Sequence, residues 1–352
     1  MDAQPKSTAP VSIWWFAFGY FAAYAPYAAL TKAVTKGALP GQTRIVDGYE
    51  ILPLSVVCSL VGMLVFITSK GWWRYAGRGK LFGLDLPMPN RWTGFSGVCT
   101  AIVIITTTLA YTFKGVSIVF VMLLMRGGVL VIAPISDRLA KRPVKWYSWV
   151  GLALSLTALV VADRSGDYTI TTVCAIDVIA YLFGYFVRLR FMSKLAKSDD
   201  PNANLRYFVE EQMVGTPFLL LSLLTVALVA PLTHGGGFGD FAHSVRHGFG
   251  SFFSREAVVV GVVAFIGVLS QGTGIFGGLI LLDKRENSYC VPVNRASSIL
   301  AGLVASVGLY LFLKQPPPSK GELAGAALIV AAISMLSVPP LLEKRRAAKA
   351  AA

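Results

Sequence analysis

Ten apolar runs, each long enough to cross a lipid bilayer, constrain the fold of this chain more than any other feature. They cover residues 13–35, 45–69, 94–113, 116–137, 146–163, 170–192, 208–232, 257–282, 288–313 and 321–341. A membrane-spanning helix needs about 20 consecutive apolar residues. Only helices and closed barrels satisfy their main-chain hydrogen bonds in lipid, and these runs lack the polar/apolar alternation of barrel strands. We therefore predict an all-α integral membrane protein with ten transmembrane helices.

The composition supports the same fold class. Apolar residues make up 55% of the chain and charged residues only 14%, against about 25% charged in soluble domains. The first run begins at Ile13 and is longer than the apolar region of a signal peptide, so we expect it to remain in the protein. Neither a disulfide framework nor a thiolate metal site is predicted, since all four cysteines lie unpaired within apolar runs: Cys58, Cys99, Cys174 and Cys290.

The net charge of +14 would suit a nucleic-acid partner, but the distribution of the basic residues indicates membrane topology instead. With a cytoplasmic N-terminus, 21 of the 32 basic residues lie in inner segments and 9 lie in outer segments. This bias follows the positive-inside rule. We expect both termini in the cytoplasm and the protein in the cell's inner (plasma) membrane. The two remaining basic residues, Arg126 and Arg295, lie inside apolar runs.

The two halves of the chain resemble each other. Arg126 and Arg295 each precede a half-run rich in small residues, then a loop, then a run that contains glycine. The first and sixth runs share a further pattern, YFAAY at 20–24 and YLFGY at 181–185. Five runs per half make the second half inverted relative to the first, as in many secondary transporters. We expect one five-helix repeat at 1–165 and another at 166–352, with an amphipathic outer loop at 234–256 and a basic cytoplasmic tail.

Ten spans in two halves, with a basic residue in the fourth and ninth, resemble the drug/metabolite transporter superfamily. It includes the EamA-type exporters, the nucleotide-sugar transporters and the plastid phosphate translocators. In the latter two groups, basic residues of these two helices face a central cavity and hold the anionic substrate. The resemblance implies that role for Arg126 and Arg295. The segment VNRASS at 293–298 is similar to the ninth helix of such carriers, whereas the GALNK-like signature of GDP-sugar carriers is absent.

The physical chemistry of the two arginines leads to a similar expectation. A charge at the centre of a bilayer is costly, so such residues usually face the bundle interior or a wet cavity. Arg126 is 12 residues past Lys114 and Arg295 is 11 past Lys284, which places both about 16 to 18 Å along their helices. They can share one cavity, where an anion, a carboxylate such as Asp177, or main-chain carbonyls would offset their charge. The structural alternative is that both arginines bond to carbonyls of helices broken at Pro134 and Pro292.

Tyrosines and two amides are the other candidate substrate-binding residues. Tyr20 and Tyr24 lie on one face of the first run, and Tyr181 and Tyr185 occupy the matching face of the sixth. Such faces can stack on a ring of the substrate, or they can serve packing and the interfacial aromatic belt. Mid-run amides can line the cavity or hold helices together by hydrogen bonds; they are Gln271 and Asn294.

Two glycine-rich segments are not assigned to chemistry. The run GTGIFGG at 272–278 lacks the lysine and Ser/Thr of a phosphate-binding loop, so we interpret it as a helix-packing seam. The outer loop at 234–256 has phenylalanines at helical spacing, which predicts a short amphipathic helix in the interface. His243 and His247 are four residues apart but lack the glutamate of a zinc-binding HExxH motif, so no metal site is expected.

Three classes of function remain. The expected one is a secondary transporter that moves a small anionic metabolite by alternating access, without a nucleotide-binding motif for ATP. In an alternative transporter the arginines are structural and the substrate is a neutral or cationic metabolite or an amino acid. The third class is a membrane-embedded enzyme or non-transporting scaffold. We expect no enzyme activity and no cofactor, with a small-molecule substrate and the lipid bilayer as partners, no nucleic acid, and a homodimer left open.

Overall fold

The computed structural model of the protein describes residues 12–81, 83–109, 118–162, 172–314 and 320–350. Within these ranges the chain forms eleven α helices, which are α1 (Ile13–Thr35), α2 (Leu52–Ser69), α3 (Arg91–Leu109), α4 (Ile118–Leu139), α5 (Trp146–Ala162), α6 (Thr172–Phe191), α7 (Ala203–Val229), α8 (Gly237–Phe249), α9 (Ala257–Leu281), α10 (Asn287–Leu313) and α11 (Lys320–Ala350). An antiparallel hairpin of β1 (Arg78–Leu81) and β2 (Leu84–Pro87) joins α2 to α3.

The described residues therefore hold one helix more than the ten predicted from the apolar runs. Ten helices lie in those runs, and the additional helix, α8, lies in the loop that was expected to be amphipathic. Its apolar side is buried by protein, because α8 packs on α2 and α7 with Phe241 and Val245 inside. Phe238 remains exposed. The same apolar periodicity that would suit a lipid surface is here satisfied largely by the neighbouring helices.

Four of the described helical segments are long and apolar enough to cross a membrane. They are α2, α7 with its 3-10 extension to Leu232, α9 and α10. Large apolar side chains also stand on the outside of the molecule, among them Phe18, Val65, Phe183, Leu228 and Phe312. Extended apolar surface of this kind marks a membrane or partner interface. The chain is thus an α-helical protein with the helix lengths and surface of a membrane protein.

The helices pack in a few extensive pairs around a common core. Helix α1 lies against α9 and α10, and α6 lies against α3 and α4. Further pairs are α2 with α9, α3 with α7, α5 with α11, and α4 with α10. Buried aromatic side chains from different helices meet in the centre, including Tyr20, Tyr181, Tyr207 and Phe208. This arrangement brings α1, α4, α6 and α10 to the middle of the molecule, where the predicted site residues lie.

The glycine-rich segment of α9 packs closely against α1, as the sequence indicated. A Cβ at Gly277 would lie 2.9 Å from Cε2 of Tyr20, and one at Gly272 would lie 3.1 Å from Cβ of Ala23. Glycine at these positions therefore lets α9 lie close against the side chains of α1. The seam fixes the first tyrosine of the YFAAY segment in the core.

Several predicted features lie outside the described residues. They are Lys114, from which the depth of Arg126 was reckoned, and the boundary between the two repeats at 165/166.

Candidate functional site

Each of the two arginines predicted within the apolar runs contacts a tyrosine on a neighbouring helix. Nη2 of Arg126, on α4, lies 3.5 Å from the hydroxyl of Tyr24 on α1. Nη2 of Arg295, on α10, lies 3.4 Å from the hydroxyl of Tyr181 on α6. The Arg295 guanidinium also stands over the ring of Tyr185, with 5.1 Å from its central carbon to the ring centroid. This distance is typical of a cation–π contact.

The arginines and tyrosines form a single cluster, which we call the arginine–tyrosine cluster: Arg126, Arg295, Tyr20, Tyr24, Tyr181 and Tyr185. Tyr20 and Tyr24 stack with ring centroids 5.6 Å apart, and Tyr181 and Tyr185 lie 4.9 Å apart. Tyr20 and Tyr181 belong to the same buried core, against which Tyr24 and Tyr185 pack. Four-residue spacing places each tyrosine pair on one helix face, which explains why the two pairs meet at the centre.

The charge of Arg295 is poorly compensated by protein. The residue is only 8% exposed, and among the described residues its Nε has no hydrogen-bond acceptor. Within the same part of the chain it forms no ion pair with a carboxylate. A buried charge is costly unless it is paired and hydrogen-bonded. Arg126 is half-buried, so the cluster holds two cationic groups of which one is deeply buried.

The two amides predicted to line the site are placed differently. Nδ2 of Asn294 lies 3.5 Å from the carbonyl oxygen of Gly277, which in turn packs on Tyr20, so Asn294 borders the cluster. Gln271 instead accepts a hydrogen bond of 2.8 Å from Ser59 on α2. No described contact joins Gln271 to either arginine. Its placement beside α2 supports the interpretation in which it holds helices together.

One end of the α4, α6 and α10 group is held closed by polar contacts. Asp137, near the end of α4, accepts hydrogen bonds from the main-chain N–H groups of Asn287 and Ser288 at 2.8 and 2.7 Å. These are the first residues of α10, so Asp137 caps that helix from outside it. The Asn287 side chain donates to Ser193 Oγ, just after α6, at 2.6 Å. The four residues join the three helix ends.

Basic side chains extend this closure beyond the helix ends. Nη2 of Arg142 donates to the carbonyl oxygen of Lys197 at 2.6 Å, and Nη1 donates to that of Lys284 at 3.2 Å. Nζ of Lys197 donates to the carbonyl oxygen of Arg285 at 2.6 Å. The loops after α4, α6 and α9 are therefore tied to one another. We call the two sets of contacts together the polar clamp.

A buried ion pair was not predicted from the sequence. Arg188, on α6, and Glu211, on α7, are both buried and form a two-fold contact at 2.8 and 2.9 Å. Ser96 donates to Glu211 Oε1 at 2.7 Å, and Tyr207 donates to Ser96 at 2.6 Å. The sixth apolar run, 170–192, contains residue 188, and helix α6 continues to Phe191, but the pairing with Glu211 was not predicted. The helical register of α6, which puts residue 188 on the face of residues 181 and 185, was the available signal.

Comparison with known proteins gives a fold but no family. No protein-family model matches the chain, and no curated protein matches it. The fold is similar to that of a solved structure described only as "Crystal structure of protein", with a TM-score of 0.54 and 15% sequence identity. The similarity covers 96% of this chain and 99% of that chain. At this level of identity the likeness concerns the fold alone.

Proposed function

We propose that this protein is a secondary transporter of a small anionic metabolite, with the arginine–tyrosine cluster as its substrate site. In this proposal α8 lies at the outer face, the other ten helices cross the inner (plasma) membrane, and both termini lie in the cytoplasm. The chain would act by alternating access, as a member of the drug/metabolite transporter superfamily.

The surroundings of Arg295 carry the proposal. Its guanidinium is buried, it contacts a tyrosine hydroxyl and a tyrosine ring, and its Nε lacks an acceptor within the described residues. A bound carboxylate or phosphate would supply the missing negative charge and the planar acceptor pair that a guanidinium prefers. The half-buried Arg126 lies at the same cluster and could contact the same anion. Tyrosine rings beside the anion would suit a substrate with a ring or sugar.

The helix packing supports an inverted repeat. The repeat would relate the helices one to one, in the order α1, α2, α3, α4 and α5 to α6, α7, α9, α10 and α11. When the helices are exchanged in this way, the α1–α9 pair becomes α6–α3, α1–α10 becomes α6–α4, and α2–α9 becomes α7–α3. The pairs α2–α7, α4–α10 and α5–α11 map onto themselves. All of these pairs are in contact. The same exchange relates the Arg126–Tyr24 contact to the Arg295–Tyr185 contact, so the site would lie on the symmetry axis, as in other repeat transporters.

The polar clamp supports alternating access. Its contacts join α4, α6 and α10 at what the charge bias makes the cytoplasmic end, so the structure would represent a state closed to the cytoplasm. All of its hydrogen bonds lie between side chains or helix ends that can separate without breaking a helix. A transporter needs such an end contact to be reversible.

A thermal-stability screen tests the proposed substrate class. Purified protein would be heated in detergent with sugar nucleotides, phosphorylated metabolites, amino acids or organic cations, since a ligand of the folded state raises its apparent stability. An anionic compound should raise the melting temperature of the wild type. The increase should be smaller for Arg295→Lys and absent for Arg295→Ala. Stabilisation by organic cations or neutral amino acids alone, unchanged in Arg295→Ala, would favour the transporter in which the arginines are structural.

A further inference from the structure

A second buried ionisable group in the central helices has no partner of opposite sign among the described residues. Asp177, on α6, is 6% exposed, and among the described residues its Oδ2 accepts no hydrogen bond and its carboxylate joins no ion pair. Buried carboxylates are costly unless they are hydrogen-bonded, paired or neutralised. In a protein of this kind such a residue marks a proton or ion pathway more often than a packing position.

The position of Asp177 links it to the arginine–tyrosine cluster. It lies four residues before Tyr181 and eight before Tyr185, on the same face of α6. Tyr181 bonds to Arg295 through its hydroxyl. A group bound at Asp177 would therefore lie one helical turn from the side chain that holds Arg295 in place.

Helix α3 supplies oxygen atoms at the level of Asp177. The pair α3–α6 is antiparallel, since Arg188 meets the Glu211–Ser96 contact while Gly184 lies against Cys99 and Val103. Continued by seven residues toward the start of α6, the same register predicts that Asp177 lies level with the stretch of α3 that begins at Thr106. The hydroxyl of Thr106 donates to main-chain carbonyls of its own helix, which leaves its oxygen free to act as a ligand.

Within the described ranges, the other titratable groups around α6 do not neutralise Asp177. On α3 the titratable residue at the contact with α6 is Cys99, whose main-chain oxygen faces Gly184 and whose thiol carries no positive charge. On α4 it is Arg126, which contacts Tyr24. On α6 itself, Arg188 is taken by Glu211, and Cys174 carries no positive charge. Asp177 is thus a buried carboxyl group at a position where packing does not require a polar side chain: the alignment of YFAAY with YLFGY puts the apolar Phe16 at the corresponding position of α1.

We propose that Asp177 binds one monovalent cation, either a proton or Na⁺. A single carboxylate suits a singly charged ion, and the described residues include no group of three His, Cys, Asp or Glu side chains that would hold a divalent metal. The further role of this cation, as the ion whose movement is coupled to transport, rests on the proposed function. The cation site itself stands on the burial and the missing partner of Asp177.

Infrared spectroscopy and melting temperature together test this site without a substrate. Wild type, Asp177→Asn and the control Asp85→Asn, an exposed hairpin carboxylate, would be compared from mildly acidic to mildly alkaline pH, in sodium chloride or choline chloride. If Asp177 binds a proton, the wild type and Asp85→Asn show an infrared band of a protonated carboxyl group that Asp177→Asn lacks. Sodium does not change this band. For a Na⁺ site, sodium removes the band or raises the melting temperature, and Asp177→Asn loses this response.

The proposal is overturned if wild type and Asp177→Asn have the same carboxyl band at every pH and the same melting temperature in sodium and choline. Should Asp177→Asn fail to fold, Asp177→Glu provides the test, because a band or sodium response that belongs to this carboxyl must shift when the side chain is lengthened. Neither readout depends on Arg126 or Arg295. A failed substrate screen and a failed cation site are therefore separate results.

Discussion

Arg188 and Arg295 are both buried arginines, but their partners differ. Arg188 faces a carboxylate through two hydrogen bonds, and that carboxylate is satisfied further by Ser96. Arg295 faces only tyrosines among its described contacts. A complete set of partners indicates a structural role for Arg188. The incomplete set around Arg295 is the one that the proposed anion would complete.

The Arg188–Glu211 pair should therefore matter for folding. Arg188→Ala leaves the Glu211 carboxylate buried and unpaired, and we expect the free energy of unfolding to fall by about 3 to 5 kcal/mol. The matched control is Arg78→Ala, which breaks the exposed Arg78–Asp85 pair of the hairpin and should cost about 0 to 1 kcal/mol. Circular dichroism, recorded during unfolding in detergent, measures the free energy of unfolding of both variants. Equal losses for the two variants would show that the buried pair adds no stability.

At the scale of helices, the α1–α9 seam and the cap on α10 determine where the site residues lie. Tyr20 is held because Gly277 admits its ring, and Arg295 is placed by a helix whose first turn is fixed by Asp137. In both cases one element positions a residue that belongs to another. Neither relation can be derived from hydrophobic periodicity, which gives a helix its length and faces but not its neighbours.

Gly277→Ala should loosen the seam. The added methyl group would lie 2.9 Å from the Tyr20 ring, and we expect a loss of about 1 to 3 kcal/mol in the free energy of unfolding, as for other overpacked cores. Gly274 is the control, because a Cβ there meets nothing within 4 Å. Alanine at that exposed position should be neutral or stabilising by up to about 1 kcal/mol. Similar melting temperatures for the two variants would rule out a tight seam.

Asp137→Ala should open the polar clamp. It removes the acceptor of two buried main-chain N–H groups and one hydroxyl, which should weaken the closed end by roughly 1 to 3 kcal/mol. Cys290, fully buried beside Lys197, is a native reporter of this end. Its alkylation rate should rise about 5- to 150-fold, as measured by mass spectrometry.

The control for this experiment is Asp200→Ala, which removes a carboxylate from an exposed pair with Arg206. It should leave Cys290 as protected as in the wild type. An unchanged rate in Asp137→Ala would mean that the cap does not hold the end closed.

At the scale of the whole molecule, the charge bias predicts which face is cytoplasmic. Single cysteines introduced at Ser198 and Asp240 should react with a membrane-impermeant thiol reagent from the cytoplasmic and the outer side, respectively. Both positions lie in polar connections, after α6 and in α8. Reaction of the Asp240 position from the cytoplasmic side would contradict the topology and, with it, the assignment of the polar clamp to the cytoplasmic end.

The sequence predicted most of the described helices and the helix faces on which the tyrosines lie. Apolar runs gave ten of the described helices, and spacing along α1 and α6 paired the tyrosines correctly. The partner of Gln271 could not be predicted, because an amide in the middle of an apolar run can face any of several helices. The fold places it against Ser59. Glu211 and Asp137 were missed because their partners lie on helices distant in sequence, and only packing brings those together.

The affinity of the arginine–tyrosine cluster for an anion tests the proposed function most directly. The anionic compound with the largest stabilisation in the screen would be titrated into wild type, Arg126→Ala, Arg295→Ala and the double variant, each checked for folding. Each single change removes a charge-assisted contact of about 1.5 to 3 kcal/mol, so Kd should rise roughly ten- to hundredfold. The double variant should lose less than the sum, because both arginines act on one ligand. A folded double variant that binds the compound with the wild-type Kd would contradict the anion site.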